Sequence, residues 1–168
     1  AFPDIDGETA TSSLLSSSFF SSGIEKITAD KVSFINFTEP LILQGTPSMF
    51  PHEKIMVEIL ENVAPTAQVI DACRELKKKN YTLALDDFEY NDMFKPLLEL
   101  ADIVKVDFRQ TPPQEIQKTI ELLKGYRCSL LAEKIETYEE FEKATSMGFK
   151  YFQGYFFSKP EILKNRDI

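Results

Sequence analysis

Apolar residues fall along this chain in two alternating rhythms. Short, nearly continuous apolar runs occupy 31–37, 54–60, 82–88, 103–108, 128–135 and 151–157. Their length and their β-branched and aromatic content are those of strands buried on both faces. Between the runs, apolar side chains recur every three or four residues, the spacing of a helix face. Val69, Cys73 and Leu76 form one such face, Met93, Leu97 and Leu98 a second, and Ile116, Ile120 and Leu123 a third. Residues 1–7 read as a loop. The serine-rich stretch 8–27 carries Leu14, Leu15, Phe19, Phe20 and Ile24 at near-helical spacing, so the pattern predicts a helix there, and a short helical turn over 41–43.

Capping signals sharpen these boundaries. Lys77, Lys78 and Lys79 suit the negative end of a helix dipole, and Asn80 suits the left-handed residue beyond it. Thr111-Pro112-Pro113-Gln114 combines a Thr-x-x-Gln capping box with proline at the first helical position, and that helix stops at Gly125. Thr137 and Glu140 form a second box, opening a helix that ends before Gly148. Ser158-Lys159-Pro160 ends the last run. No hairpin dipeptide joins neighbouring runs, so strands and helices alternate as βα units around a parallel sheet. The choice is an open doubly wound sheet or a closed barrel, and the barrel needs eight strands. Six are counted, behind an initial helix with no strand before it. The remaining strands are expected upstream of Ala1, which makes residues 1–168 a single domain that is incomplete at its N-terminus.

Each strand carries one polar residue that a core does not need. Side chains alternate between strand faces, so Asn36 shares a face with Phe34, Glu58 with Met56, Asp86 with Ala84, and Glu133 with Leu131. Lys105 shares one with Ile103 and Asp107, and Gln153 is out of phase with Phe152. If helices cover one side of the sheet, these six point to the other. Taken singly, each reads as a rim hydrogen bonder or an ion-pair member, and Asp86 and Lys105 could simply pair across neighbouring strands. Repetition on successive strands points instead to a site, because buried ionisable groups are costly without a use. The oxygens of Asn36, Glu58, Asp86, Asp87 and Glu133 suit Mg²⁺ or Mn²⁺. Two adjacent aspartates at a strand end could bridge two such ions in a phosphoryl displacement.

Other chemistries find little support. The single histidine, His52, lies in a loop, and a chain with six glycines shows no phosphate loop or dinucleotide fingerprint. A net charge of −8 disfavours DNA binding. Cys73 and Cys128 read as free thiols of a cytoplasmic protein, with no apolar stretch long enough to span a bilayer.

The motifs Leu85-Asp86-Asp87-Phe88, Ile103-Val104-Lys105-Val106-Asp107, Leu131-Ala132-Glu133-Lys134-Ile135-Glu136-Thr137 and Tyr151-Phe152-Gln153-Gly154 resemble the EAL domain. Asn36 and Val57-Glu58-Ile59-Leu60-Glu61 match two further motifs, so the resemblance spans about Ala10 to Pro160. It implies a TIM-like (β/α)8 barrel and a bacterial signalling module of the cyclic di-GMP phosphodiesterase family. It implies Asn36, Glu58, Asp86 and Asp87 as ligands of Mg²⁺ or Mn²⁺, and Lys105 near the attacking water. Glu133 matches the general-base or second-metal carboxylate, Gln153 a site glutamine, and Glu61 and Glu136 the carboxylates supporting the loop after the Asp pair. Two departures stand out. The strand bearing the Glu-Ala-Leu motif has no counterpart, and Glu89-Tyr90-Asn91-Asp92-Met93 replaces a glycine-rich loop. The variant is similar to the group joined to an HDOD domain, which implies a degenerate module binding cyclic di-GMP or a protein partner. The alternative is an active phosphodiesterase producing linear pGpG.

Overall fold

In a computed structural model, the described residues are 20–21, 32–86 and 88–154. Six parallel strands alternate with helices: β2 (Ser33–Phe37), α1 (Glu39–Leu43), β3 (Ile55–Ile59), α2 (Ala67–Lys78) and β4 (Thr82–Leu85) are followed by α3 (Lys95–Leu100), β5 (Ile103–Asp107), α4 (Pro113–Leu123), β6 (Ser129–Glu133), α5 (Tyr138–Met147) and β7 (Tyr151–Phe152). Turns of 3₁₀ helix at Thr46–Met49 and Asp92–Phe94 precede β3 and α3. The six strands pair in sequence order. A seventh, β1 (Phe20–Ser21), lies antiparallel against β7, pairing Phe20 with Phe152 and Ser21 with Tyr151. Among the described residues, the sheet ends at β1 on one side and β2 on the other.

β1 corrects the expected helix over 8–27 where that stretch is described. Serine is an indifferent helix former, and the edge of β7 offers backbone groups that a passing segment can pair. The rest of that stretch and the expected strand beyond Gly154 lie outside the described residues. A second correction concerns α4. Pro112 is its N-cap, with Pro113 at the first helical position and no side-chain cap. A residue preceding proline is held in extended backbone, so Pro113 keeps Pro112 out of the helix and Thr111 falls outside the capping position. The box at α5 forms: Thr137 accepts the Glu140 N–H, and Glu140 accepts the Thr137 N–H. Asn80 follows α2 with φ 70°, as its place beyond a basic helix end predicts. Both cysteines are free. Among the described residues, no helix is long and apolar enough to cross a membrane.

Two apolar layers lie on opposite faces of the sheet. The larger packs Ile35, Val57, Leu83, Val104 and Ala132 against the helices, through residues such as Val69, Leu97 and Ile116. The smaller gathers Phe34, Ala84, Ile103 and Leu131 on the other face, with Met56 and Tyr151 against them. Each of these six residues stands two positions before one of the six polar residues, so the alternation of side chains puts all six above the same inner layer.

The register gives that face its curvature. Asn36 lies beside Glu58, but Glu58 lies beside Ala84, two residues before Asp86. Lys105 likewise lies beside Leu131, two residues before Glu133. Steps of two preserve which face a side chain occupies, and they supply the stagger that tilted barrel strands require.

Candidate active site

At the carboxyl ends of the strands the inner face turns from apolar to charged. Lys105 is only 4% exposed, and its Nζ donates to Glu58 Oε2 at 2.6 Å, a carboxylate that is 1% exposed. The same ammonium stands 3.8 Å from Asp86 Oδ1 and 3.6 Å from Glu133 Oε2. It also lies 4.8 Å from the centre of the Phe34 ring, so its inner side rests on an aromatic face. One cation therefore faces three carboxylates drawn from three other strands or strand ends.

This imbalance shifts the titrations. Burial pushes the Glu133 carboxyl up, the charges of Asp86 and Glu58 push it further, and Lys105 only partly offsets them, leaving it at about 8. Burial lowers the Lys105 ammonium, yet Glu58, Glu133 and Asp86 together raise it above the usual lysine range. The cluster thus keeps its lysine charged and raises the proton affinity of Glu133.

The remaining expected residues fall into place around it. Asn36 is half-buried beside Glu58 in register. Gln153, 7% exposed, continues β7, its backbone donating to Ala132 and accepting from Ile135. Asp87 lies outside the described residues. Glu61 and Glu136 are exposed and stand apart from the lysine cluster. Glu61 lines a cavity of about 740 Å³ that opens beside Asp86 between segment 88–94 and α4, with Glu89, Tyr90 and Thr111 on its wall. Glu136 is ion-paired to Arg109.

Among the described residues, no three His, Cys, Asp or Glu side chains already surround a common metal position, with Lys105 drawn in among the acids. The donor chemistry is nonetheless that of a hard divalent cation, carboxylate oxygens plus an amide, with no thiolate or imidazole.

A second polar group of the inner face was not singled out from sequence. Asp107 is 4% exposed, ion-paired to Lys134 at 2.7 Å, and accepts the backbone N–H groups of Arg109 at 2.8 Å and Gln110 at 2.9 Å. Burial raises its carboxyl, but the hydrogen bonds from Lys134, Gln110 and Arg109 outweigh that and hold it below the usual range. Its spacing of two from Lys105 is the signal that finds it.

A βα barrel-type sheet with buried, mixed charge at its carboxyl end is the architecture of an α/β domain that works at that end. The family model for the EAL domain matches residues 27–160, and the chain belongs to that family. It is 43% identical over 171 residues to YuxH of Bacillus subtilis strain 168, a match covering 97% of this chain and 41% of YuxH. It is 40% identical over 171 residues to the cyclic di-GMP phosphodiesterase CdgJ of Vibrio cholerae, covering 100% of this chain and 40% of CdgJ. The chain therefore spans about two fifths of the length of these relatives. The fold is shared with the Bacillus subtilis YkuI protein, solved with substrate c-di-GMP and calcium. That likeness has a TM-score of 0.63 at 22% identity, over 75% of this chain and 36% of YkuI.

Proposed function

We propose that this domain binds cyclic di-GMP with divalent cations and hydrolyses one of its phosphodiester bonds. The observation that carries the reading is the buried lysine facing three carboxylates, a cluster costly to bury without a use. The relation to CdgJ, named as a cyclic di-GMP phosphodiesterase, supports the same substrate. Asn36, Glu58 and Asp86, with Asp87 following, would hold the cation, which we take to be Mg²⁺ or Mn²⁺. When bound, such an ion acidifies a coordinated water and offsets phosphate charge.

The chain's own residues then divide the chemistry. Glu133, whose carboxyl titrates at about 8 in this cluster, accepts the proton of the attacking water, its proton affinity being near the operating pH. Lys105, held against Glu58 and Asp86, places positive charge beside the phosphate as negative charge grows on it. Gln153 contributes a polar edge from β7. Glu61 and Glu136 buttress the loops around the mouth, Glu136 through Arg109. In the cell, we place the domain in the cytoplasm, joined to an HDOD domain or acting on a protein partner.

A binding-only module is the second reading, and one feature favours it. Segment 88–91 carries Glu89 and Tyr90 in place of glycines, and Phe88 packs edge-on against Tyr90 and Phe94 with ring centres 6.3 and 6.0 Å apart. These contacts limit how closely that backbone can approach a ligand. Incubating the full-length protein with cyclic di-GMP and Mn²⁺, then separating the products by chromatography, decides between the two. Linear pGpG from the unsubstituted protein and none from Glu133→Gln is the expected result. Intact cyclic di-GMP in both would leave binding alone.

A further inference from the structure

We infer that Asp107 is a positioning residue for Glu133, acting through Lys134. The inference rests on the reading of Glu133 as the proton-accepting carboxylate. Glu133 is the last residue of β6, so its side chain is aimed by the backbone that follows. That backbone turns at once, since Lys134 has φ 62°, in the left-handed region that side chains with a Cβ avoid. Among the described residues, Asn80 is the other non-glycine there, and asparagine at a helix end is at home in that conformation. Lysine has no such preference of its own.

What holds Lys134 is Asp107. The ion pair to Oδ2 is 2.7 Å long, and the other carboxylate oxygen is fixed by the Arg109 and Gln110 N–H groups. Asp107 is also the register partner of Glu133 on β5, so the anchor sits beside the residue it serves. The far side of the turn is closed too. Ile135 donates its N–H to the Gln153 carbonyl at 3.0 Å, and Gly154 lets the strands meet this closely, because a Cβ there would fall 2.1 Å from the Ile135 carbonyl oxygen. Beyond the turn, Arg109 pairs with Glu136 and with Glu140 at 3.2 Å, tying the loop after β5 to the loop after β6. Glu133 is thereby held between two neighbouring strands, with Lys134 as the link to one of them.

Asp107→Asn tests this directly, since the amide oxygen can still accept both backbone N–H groups and only the ion pair is lost. Crystal structures of the full-length protein should show Lys134 leaving the left-handed region and Glu133 drawing away from Lys105. Calorimetric titration with Mn²⁺ should show affinity weakened about tenfold, because Glu133 shares the cluster of Glu58 and Asp86 and would support the cation site as an outer-shell partner does. Adding Lys134→Gly, which adopts the turn unaided, should restore both in the double variant. An Asp107→Asn structure with Lys134 and Glu133 unmoved would overturn the inference, as would a double variant as weak as the single one. If Asp107→Asn fails to fold, Lys134→Gly and the double variant should bind Mn²⁺ equally, and a further loss in the double would overturn it. Absence of Mn²⁺ binding by the unsubstituted protein would instead refute the metal-dependent function, and the crystal structures would still decide the positioning role.

Discussion

Among the described residues, two lysines approach a carboxylate to 2.6 Å, and their surroundings differ in every other respect. Lys77, in the last turn of α2, pairs with Asp102 just before β5, both partly exposed. The Asp102 oxygen also accepts the Leu83 N–H at 2.9 Å, and Lys77 reaches the Tyr81 carbonyl. One charge meets one charge, and the pair ties a helix to two strands at the amino end of the sheet. Lys105, at the carboxyl end, is removed from water and faces Glu58, Asp86 and Glu133 together. The balanced, hydrated pair is sufficient for holding elements together. The unbalanced, buried cluster has negative charge to spare, and a ligand bringing positive charge is what it suits.

The largest effect that separates the two ends should come from the lysines. Lys105→Met leaves buried carboxylates without their counter-ion and should destabilise the fold by about 3–5 kcal/mol. Lys77→Met removes a partly hydrated pair and should lose less than about 1 kcal/mol. Denaturant titration of both variants measures the difference, and equal losses would dissolve the comparison.

Glu133→Gln should lower turnover of cyclic di-GMP by at least about a hundredfold, the scale of a lost general base. Its stability below pH 4.5 should be unchanged, since an amide replaces a carboxyl that is protonated in folded and unfolded chains alike, and near neutral pH the metal-free variant should be the more stable. Product release assays and thermal melts of the same preparation check both halves.

Divalent cation should stabilise the carboxyl end selectively. Mn²⁺ at a hundred times its dissociation constant should add about 2.7 kcal/mol, read as a rise in melting temperature. Asp102→Asn should leave that increment intact, whereas Glu58→Gln should remove it.

A further difference lies in the pH dependence without metal. Glu133 titrates at about 8 in the fold against an ordinary 4.5. Below 4.5 both folded and unfolded chains carry its proton, and between 4.5 and 8 the folded chain alone does. The stability this group contributes is therefore complete below 4.5 and is lost as pH rises through 8. Glu133→Gln should flatten that part of the profile in metal-free melts.

Much of this was legible in the chain itself, for identifiable reasons. Continuous apolar runs betray strands buried on both faces, and period-two alternation then singles out Asn36, Glu58, Asp86, Lys105, Glu133 and Gln153. Phe20–Ser21 escaped because its strand is two residues long and its partner, Tyr151–Phe152, is distant in sequence. The Thr111 box misled because the signal was read without the constraint that Pro113 places on Pro112. Sequence alone allowed Asp86 to be the partner of Lys105. That ion pair is present at 3.8 Å, and the two-residue stagger between β3 and β4 also brings Glu58 into hydrogen-bond reach of the same ammonium. Register between strands depends on how the whole sheet tilts, which no single strand encodes.

The most direct test of the central claim is calorimetric titration of cyclic di-GMP into the full-length protein, with and without Mn²⁺, alongside Glu58→Gln. Binding that requires Mn²⁺ and disappears in Glu58→Gln is the expected result. Binding that is the same with and without Mn²⁺, and the same in Glu58→Gln, would contradict the assignment of the buried cluster as the ligand site.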